Sequence, residues 1–209
     1  KAMSNSQVGT YKFEAFPFHL DVRGKLSMGV LGKHLLNCAD AYAAERGFDV
    51  VEQGGEHYTW VLSRLAIELE DLPSCHESFS IQTWVENVYR LFADRNFVIC
   101  NKDEKPIGYV RSVWAMISME TRNPANLLDL HGDRITNSIC EKECPIAKPG
   151  RIKVSQQEAV SEYVAKYSDL DINGHVNSIK YIEHILDIFP LDIYKKKALK
   201  RFEIAYVAE

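Results

Sequence analysis

A seven-residue motif occurs twice in this chain, and the repeat restricts the folds that the chain can adopt. Residues 21–27 (DVRGKLS) match residues 171–177 (DINGHVN) at an offset of 150 in the aspartate, the β-branched residue, the glycine and the apolar residue. A second pair, 62–67 (LSRLAI) and 199–204 (LKRFEI), matches at an offset of 137. Two similar units with different loop lengths explain both offsets, so the sequence predicts an internal duplication.

Each copy of the motif is followed by apolar residues at helical spacing. They are Leu31, Leu35, Cys38, Ala39 and Tyr42 in the first copy, and Ile179, Ile182, Leu186 and Phe189 in the second. Gly47 and Pro190 are placed to end these helices. Runs rich in aromatic and β-branched residues then predict strands near 58–70, 78–89, 95–100 and 105–120. A long helix followed by an antiparallel meander is typical of the hot-dog arrangement, so we predict an α+β, tandem (double) hot-dog fold.

The repeat also suggests how the chain is divided. We expect an N-terminal hot-dog unit over 10–122, a proline-containing connector over 123–153, and a C-terminal hot-dog unit over 154–209. The last residue of the second unit corresponds to about residue 72 of the first, whose predicted strands continue for about fifty residues more. We therefore expect the second unit to be incomplete at its C-terminus.

The second copy of the motif carries residue types suited to acyl transfer. Asp171, Asn173 and His175 alternate just before the helix, and in an extended segment their side chains would project to the same side. Backbone N–H groups near Gly174 and Val176 would then bind an oxygen that gains negative charge. A base, an amide donor and an oxyanion site are what this chemistry requires. The alternative interpretation is a simple turn with a helix cap, because Asp and Asn favour such positions.

The first copy has lost these groups. Arg23 and Lys25 occupy the positions of Asn173 and His175, and neither can act as an imidazole-type base near neutral pH. We expect the first unit to hold an acyl chain instead. The predicted lining of its acyl pocket is Leu35, Leu36 and Ala39, together with aromatic strand residues.

Composition excludes several classes of function. The net charge of −4 and pI near 6.0 show no overall bias toward nucleic acid or a membrane surface. No apolar run approaches the roughly 20 residues that span a bilayer. The five cysteines lack the spacing of a zinc site, so we expect reduced thiols in a cytoplasmic protein without a bound metal.

Taken together, these blocks resemble the acyl-acyl-carrier-protein thioesterases of bacteria and plant plastids, which are double hot-dog enzymes. The resemblance rests on 169–177 (DLDINGHVN) with Lys180-Tyr181, 60–64 (WVLSR), 83–86 (TWVE) and 112–116 (SVWAM), in the family's order. It implies an enzyme without cofactors that hydrolyses the thioester of fatty acyl-acyl carrier protein. Free fatty acid is then released and chain elongation ends.

The resemblance also assigns site residues. Asn173 and His175 match the family's catalytic Asn and His, and Asp171 matches its supporting Asp. The family uses a further Glu or Cys on the strand after the second helix, for which the candidate here is Glu209. Residues 206–209 (YVAE) depart from the plant pattern R-R-E-C. Either His175 or a carboxylate could act as the base.

A basic cluster follows the second helix, and its members are Lys195, Lys196, Lys197, Lys200 and Arg201. Because acyl carrier protein is acidic, these residues are the predicted docking site, and Lys148, Arg151 and Lys153 of the connector are a second candidate. An acyl-CoA thioesterase and a non-catalytic acyl-binding protein remain alternatives, and a hot-dog dehydratase fits less well. Monomer and dimer both remain open.

Overall fold

The computed structural model describes residues 7–153, 155, 158–159 and 161–207. The strands of this part of the chain are β1 (Gly9–Glu14), β2 (Val51–Gln53), β3 (Glu56–Leu69), β4 (Ser78–Val88), β5 (Ala93–Cys100), β6 (Pro106–Ser118) and β7 (Arg201–Ala205). The helices are α1 (Met28–Arg46), α2 (Leu127–His131), α3 (Asp133–Thr136), α4 (Ser178–Asp187) and α5 (Leu191–Lys196). The four strands predicted in the first unit are confirmed within a few residues at each end, whereas α2 and α3 of the connector were not predicted.

All seven strands belong to one antiparallel sheet. Its order is β1-β4-β5-β6-β3-β2, and β7 pairs with the other end of β3. The turn between β5 and β6 shows how the local sequence sets this pairing, because the Asn101 carboxamide accepts hydrogen bonds from the backbone N–H groups of Asp103 and Lys105. The second unit thus contributes a strand to the sheet of the first.

Helix α1 lies against the concave face of the sheet. It begins at Ser27, whose hydroxyl accepts a hydrogen bond from the Val30 N–H, and it ends at Gly47 with a φ of 72°. Its buried face includes Leu31, Leu35, Cys38, Ala39, Tyr42 and Ala43. Burying each of the larger side chains contributes about 1.5–3 kcal/mol, so this helix anchors the core.

The loops before α1 and α4 have the same structure, which confirms the predicted duplication. A 3-10 turn precedes each loop, at Pro17–His19 and Tyr167–Asp169. The ring contacts repeat as well, because Phe13 lies 4.2 Å from His34 and Tyr163 lies 3.8 Å from His184 between ring centroids. The offset of 150 between the two copies therefore holds in three dimensions.

The two long helices approach closely because α1 has glycines where α4 contacts it. A Cβ atom added to Gly29 would overlap the Glu183 side chain, and one added to Gly32 would lie 2.6 Å from Cδ1 of Ile179. Ile179 is itself buried within the main core. The core is therefore continuous from the first unit into α4. None of the helices in the described residues is long and apolar enough to cross a membrane.

Candidate active site

A cavity of about 460 Å³ opens between α1, the sheet and the loop before α4. Most of its walls are apolar, and the residues that define its shape are Leu36, Ala39, Ala43, Phe48, Trp60, Leu62, Val85, Ala93, Trp114 and Ile135. One polar part of the rim comes from the second unit and includes Asp171, Asn173, His175, Asn177 and Ser178. The structure thus places the predicted catalytic motif beside an apolar cavity that is built mainly by the first unit.

The predicted catalytic motif forms a tight turn, and the prediction of an extended segment is wrong. The Gly174 N–H donates to the Asp171 carbonyl at 3.0 Å, and the Asp171 N–H donates to the His175 carbonyl at 2.7 Å. The Asp171 carboxylate accepts from the backbone N–H groups of Asn173 at 2.8 Å and His175 at 3.1 Å. Asp171 therefore orients Asn173 and His175 through their backbone, because a short carboxylate side chain competes with extended structure for these donors.

The first unit contains the same turn with different side chains. The Asp21 carboxylate accepts from the N–H groups of Arg23 at 2.8 Å and Lys25 at 3.3 Å. The Lys25 ammonium pairs with the Asp71 carboxylate at 2.9 Å. The turn is thus a common scaffold of both units, and only the second copy carries an amide and an imidazole on it.

Gly174 serves the turn and is not an oxyanion donor, which corrects that part of the prediction. Its N–H is used within the turn, its φ is 78°, and a Cβ atom there would meet nothing within 4 Å. Left-handed backbone, and not close approach, is the reason for glycine at this position. The backbone N–H groups of Val176 and Ser178 make no hydrogen bond to the described residues, and both residues line the cavity. These two N–H groups at the start of α4 are the available donors.

The side chains of Asn173 and His175 are exposed at the rim. Neither side chain hydrogen-bonds to any described residue, so both are free to meet a ligand. Glu209, the predicted fourth catalytic residue, lies outside the described residues. Among the residues that are described, no group of three His, Cys, Asp or Glu side chains could hold a metal ion.

A buried polar cluster adjoins the turn at 171–175 and was missed by sequence reasoning. The Asp169 carboxylate is 1% exposed and accepts from the Tyr163 hydroxyl at 2.8 Å and the Lys166 N–H at 2.7 Å. His184 Nε2 lies 2.9 Å from the same carboxylate. The Lys166 N–H and these side-chain hydrogen bonds lower the pKa of Asp169. Because the Asn177 N–H also donates to the Asp169 carbonyl, the cluster connects the turn to the start of α4.

Two tyrosines complete the rim next to α4. The Tyr206 hydroxyl donates to the Ser178 carbonyl at 2.6 Å, and its ring lies 5.7 Å from that of Tyr181 at 79°. Burial raises the pKa of Tyr206, so this hydroxyl remains a donor over the physiological range. Tyr206 follows β7 directly, and it therefore holds the N-terminus of α4 against the sheet.

Only two of the three predicted acyl-pocket residues line the cavity. Leu36 and Ala39 line the cavity, but Leu35 is 2% exposed and packs in the main core without lining the cavity. The difference follows from helix geometry. Adjacent residues of a helix point about 100° apart, so Leu35 and Leu36 do not both face the cavity. Arg95 of β5 also lines the cavity and was not predicted. The available signal was the alternation of β5, which places Arg95 on the same face of the strand as the apolar Ala93 and Phe97.

Three of the five residues in the predicted basic cluster have partners among the described residues, and two have none. Arg201 pairs with Glu68 and Glu203, each at 2.9 Å, so its charge is neutralised within the sheet and the docking prediction fails for this residue. Lys195 pairs with Asp192 at 3.5 Å, and Lys200 donates to the Glu70 carbonyl at 3.4 Å. The exposed Lys196 and Lys197 form no ion pair with any described residue, and in the connector Lys148 pairs with Glu86 and Asp94.

Comparison with known proteins identifies the family. The Acyl-ACP thioesterase N-terminal domain matches residues 7–132, and the Acyl-ACP thioesterase C-terminal domain matches residues 152–209. The chain belongs to the acyl-ACP thioesterase family. This result confirms the resemblance that the motifs indicated.

Solved structures of acyl-ACP thioesterases share the fold. An acyl-ACP thioesterase from Bacteroides thetaiotaomicron is 60% identical, with a TM-score of 0.88 over 97% of this chain and 82% of that chain. The 12:0-ACP thioesterase from Umbellularia californica is 17% identical and superposes with a TM-score of 0.78 over 97% of this chain and 78% of that chain. These neighbours confirm the predicted α+β, tandem hot-dog fold.

Curated relatives are plant proteins of greater length. A palmitoyl-acyl carrier protein thioesterase from Gossypium hirsutum is 24% identical over all of this chain and 54% of its own length. An oleoyl-acyl carrier protein thioesterase from Arabidopsis thaliana is 29% identical over 73% of this chain and 44% of its own length. The chain therefore spans about half the length of the curated relatives that it matches.

Proposed function

We propose that this acyl-ACP thioesterase family member hydrolyses the thioester of fatty acyl-acyl carrier protein and releases free fatty acid, which ends chain elongation in fatty acid biosynthesis. One observation carries the proposal. The same hydrogen-bonded turn is built twice, and only the copy at the rim of the apolar cavity presents Asn173 and His175. A free amide and a free imidazole beside an acyl-sized cavity suit thioester hydrolysis.

In this mechanism the acyl chain enters the apolar cavity and the thioester carbonyl lies at the start of α4. The backbone N–H groups of Val176 and Ser178 stabilise the negative charge that develops on the carbonyl oxygen, and the Asn173 amide is a third donor. Losing one such donor reduces kcat by about 100- to 1000-fold. Asp171 keeps the turn rigid, so Asn173 and His175 are preorganised before the substrate binds.

Water is the nucleophile. Its oxygen attacks the carbonyl carbon while a base, either His175 or a carboxylate such as Glu209, takes the proton. The tetrahedral intermediate then collapses, the C–S bond breaks, and the proton returns to the departing thiolate. The products are a fatty acid and the free phosphopantetheine thiol of the carrier protein. No cofactor takes part in these steps.

The two units have separate roles in this proposal. The N-terminal unit, 10–122, holds the acyl chain, the connector 123–153 joins the units, and the C-terminal unit, 154–209, catalyses. The β3–β7 pairing and the contact of α1 with α4 are made within one chain, which supports a monomer. We assign the enzyme to the cytoplasm, where acyl carrier protein would be its partner. Lys196 and Lys197 are the cations that would meet that acidic protein.

The test is thiol release from dodecanoyl-acyl carrier protein by the full-length protein, with His175→Ala and the matched variant Lys25→Ala. His175→Ala should lower kcat by about 100- to 10,000-fold because a catalytic imidazole is lost. Lys25→Ala changes the equivalent position of the first unit and should leave kcat nearly unchanged. Equal loss of activity in both variants, or no loss in either, would contradict the proposed site.

The carrier is tested separately, with dodecanoyl-CoA beside the carrier-protein ester. Reversing Lys196 and Lys197 to Glu should raise KM for the carrier-protein ester alone, and the effect should decrease with salt. Hydrolysis of CoA esters only would favour an acyl-CoA thioesterase. Binding of both esters without hydrolysis would indicate a non-catalytic acyl-binding protein.

A further inference from the structure

Arg95 places a positive charge at the buried end of the cavity. Side chains alternate across a strand, so Arg95 shares the inner face of β5 with Ala93 and Phe97, both of which pack in the core. Arg95 is 6% exposed, and the cavity around it is lined by the buried side chains of Val85, Ala93 and Ile135. The exposed turn, by contrast, leads into α4, which contacts α1 at Gly32, whereas Arg95 contacts Tyr42, about 15 Å farther along α1.

This charge has no acidic partner. Within the described part of the chain, no carboxylate lies within 4.0 Å of the Arg95 guanidinium. Its one hydrogen bond joins Nη1 to the neutral Thr83 hydroxyl at 3.3 Å. By comparison, Arg111 on the opposite face of the sheet donates to the Glu86 carboxylate at 2.6 Å and to two backbone carbonyls. The sheet therefore compensates the outer arginine and leaves the inner one uncompensated.

A second guanidinium near Arg95 makes the position more positive. The Arg95 Cζ lies 4.6 Å from the Tyr42 ring centroid, and the Arg46 Cζ lies 3.6 Å from the same centroid. Two guanidinium groups therefore share one aromatic ring. Arg46 also pairs with Glu45 at 3.3 Å, which leaves Arg95 as the group in need of a counter-charge. Burial lowers the pKa of Arg95 to about 10, so the guanidinium is still protonated at neutral pH.

Two nitrogen atoms of Arg95 face open space. Among the described residues, the buried side-chain nitrogens and oxygens that lack a hydrogen-bond partner belong to His34 and His131. The Nε and Nη2 atoms of Arg95 also make no hydrogen bond to a described residue, but they do not belong to this fully buried group. They are therefore accessible, and the cavity that Arg95 lines is the space they face. They present a planar pair of donors, the geometry that a carboxylate accepts.

We propose that Arg95 binds a carboxylate at the far end of the acyl chain, so that the preferred substrates include thioesters of α,ω-dicarboxylic acids. This inference rests on the proposed thioesterase function. An isolated buried charge is unfavourable, and a ligand carboxylate would both neutralise it and satisfy the two open donors. A methyl terminus would leave them unpaired. A terminal hydroxyl would supply an acceptor but no charge.

The test compares carrier-protein thioesters of dodecanoic acid, 12-hydroxydodecanoic acid and dodecanedioic acid. In the Arg95→Met variant, kcat/KM for the dicarboxylic ester relative to the methyl-terminated ester should fall by about 10- to 100-fold, the value of one charge-assisted hydrogen-bonded pair. Arg90→Met removes a charge from the exposed turn after β4 and should leave this ratio unchanged. An unchanged ratio in Arg95→Met, or a preference for the hydroxylated ester alone, overturns the proposal.

A binding experiment separates this inference from the proposed function. Dodecanedioate and dodecanoate are titrated into the wild-type protein and Arg95→Met, with affinity measured by calorimetry. Each ligand has one carboxylate for the turn at the rim, so only the second carboxylate of dodecanedioate reports on Arg95. The wild-type protein should bind dodecanedioate about tenfold more tightly than dodecanoate, and Arg95→Met should bind both equally or prefer dodecanoate. This result needs no hydrolysis, so it supports the site even in a protein that cleaves no thioester. A preference for dodecanedioate that persists in Arg95→Met overturns the proposal.

Discussion

Ala66 of β3 and Glu203 of β7 pair directly across the sheet, and they occupy the same position in the two units. The repeat offset of 137 between 62–67 and 199–204 relates one residue to the other. The neighbouring pairs, Arg64 with Ala205 and Glu68 with Arg201, lie symmetrically about them. The two units are therefore related by a local two-fold axis at this pair. Such self-complementary pairing is typical of homodimer interfaces, and here it is formed within one chain.

Because of this symmetry, the turn of the first unit is a matched control for the proposed catalytic turn of the second. Asp171→Ala and Asp21→Ala each remove two hydrogen bonds from a carboxylate to backbone N–H groups. Both variants should lose about 1–2 kcal/mol of unfolding free energy, measured by urea denaturation. Only Asp171→Ala should also lower kcat, by at least about tenfold, because Asn173 and His175 lose their orientation. Comparable kcat losses in both variants would contradict this role.

Replacing Gly32 by a larger residue should destabilise the contact between α1 and α4. Gly32→Ala places a methyl group 2.6 Å from Cδ1 of Ile179, and overpacking of this kind costs about 1–3 kcal/mol. The melting temperature should fall by several degrees in a thermal scan. Adding Ile179→Ala to the same protein should make the effect of Gly32→Ala smaller. Additive losses in the double variant would show that the two residues do not contact each other.

Stability should decrease in mild acid because of His131. This imidazole is 3% exposed, and burial lowers its pKa from 6.5 to about 4. The unfolded state then binds more protons between these values, so stability is full above pH 6.5 and is lost as the pH falls toward 4. The loss from this residue at pH 5 should be roughly 1–2 kcal/mol relative to pH 7.5.

The measurement is urea denaturation at both pH values for the wild-type protein and His131→Phe. The variant keeps an aromatic ring against Trp60, whose ring is stacked 5.9 Å away, and removes the titrating group. Its stability should change less between the two pH values than that of the wild-type protein. Identical pH dependence would exclude His131 as the cause.

The volume of the cavity should set the preferred chain length. Ala39 lines the cavity, so Ala39→Trp should reduce the space for the acyl chain and shift hydrolysis toward shorter chains. Ala44→Trp adds the same group to the exposed side of α1 and is the control. The readout is kcat/KM over carrier-protein esters of increasing length. A profile that is unchanged in Ala39→Trp would count against the acyl cavity.

Two equivalent histidines should respond differently to substitution. His184 is paired with the buried Asp169 carboxylate, whereas Nε2 of His34 is buried without a hydrogen-bond partner in the described residues. His184→Leu should therefore lower the melting temperature, because a buried acceptor loses its partner. His34→Leu should leave it unchanged or raise it, because an unsatisfied polar atom is removed. A lower melting temperature in His34→Leu than in His184→Leu would contradict the stabilising role of the pair formed by His184 and Asp169.

The sequence by itself determined the duplication, the long helices, the strands of the first unit and the family. These features depend on local motifs and on periodicity. Periodicity indicates which side of a helix or strand is buried. It also indicated that the second unit differs from the first, because Asn173 and His175 replace Arg23 and Lys25. It placed Leu36 and Ala39 on a ligand-facing surface, where the cavity lies.

The tertiary structure decided how these residues are used. Periodicity does not show that the Asp171 carboxylate binds backbone N–H groups, that the Gly174 N–H is used in a turn, or that Leu35 faces away from the cavity. It also does not show that Arg201 has acidic partners while Arg95 has none. Whether a charge is compensated depends on side chains from strands and helices that are distant in the sequence, and only folding brings those groups together.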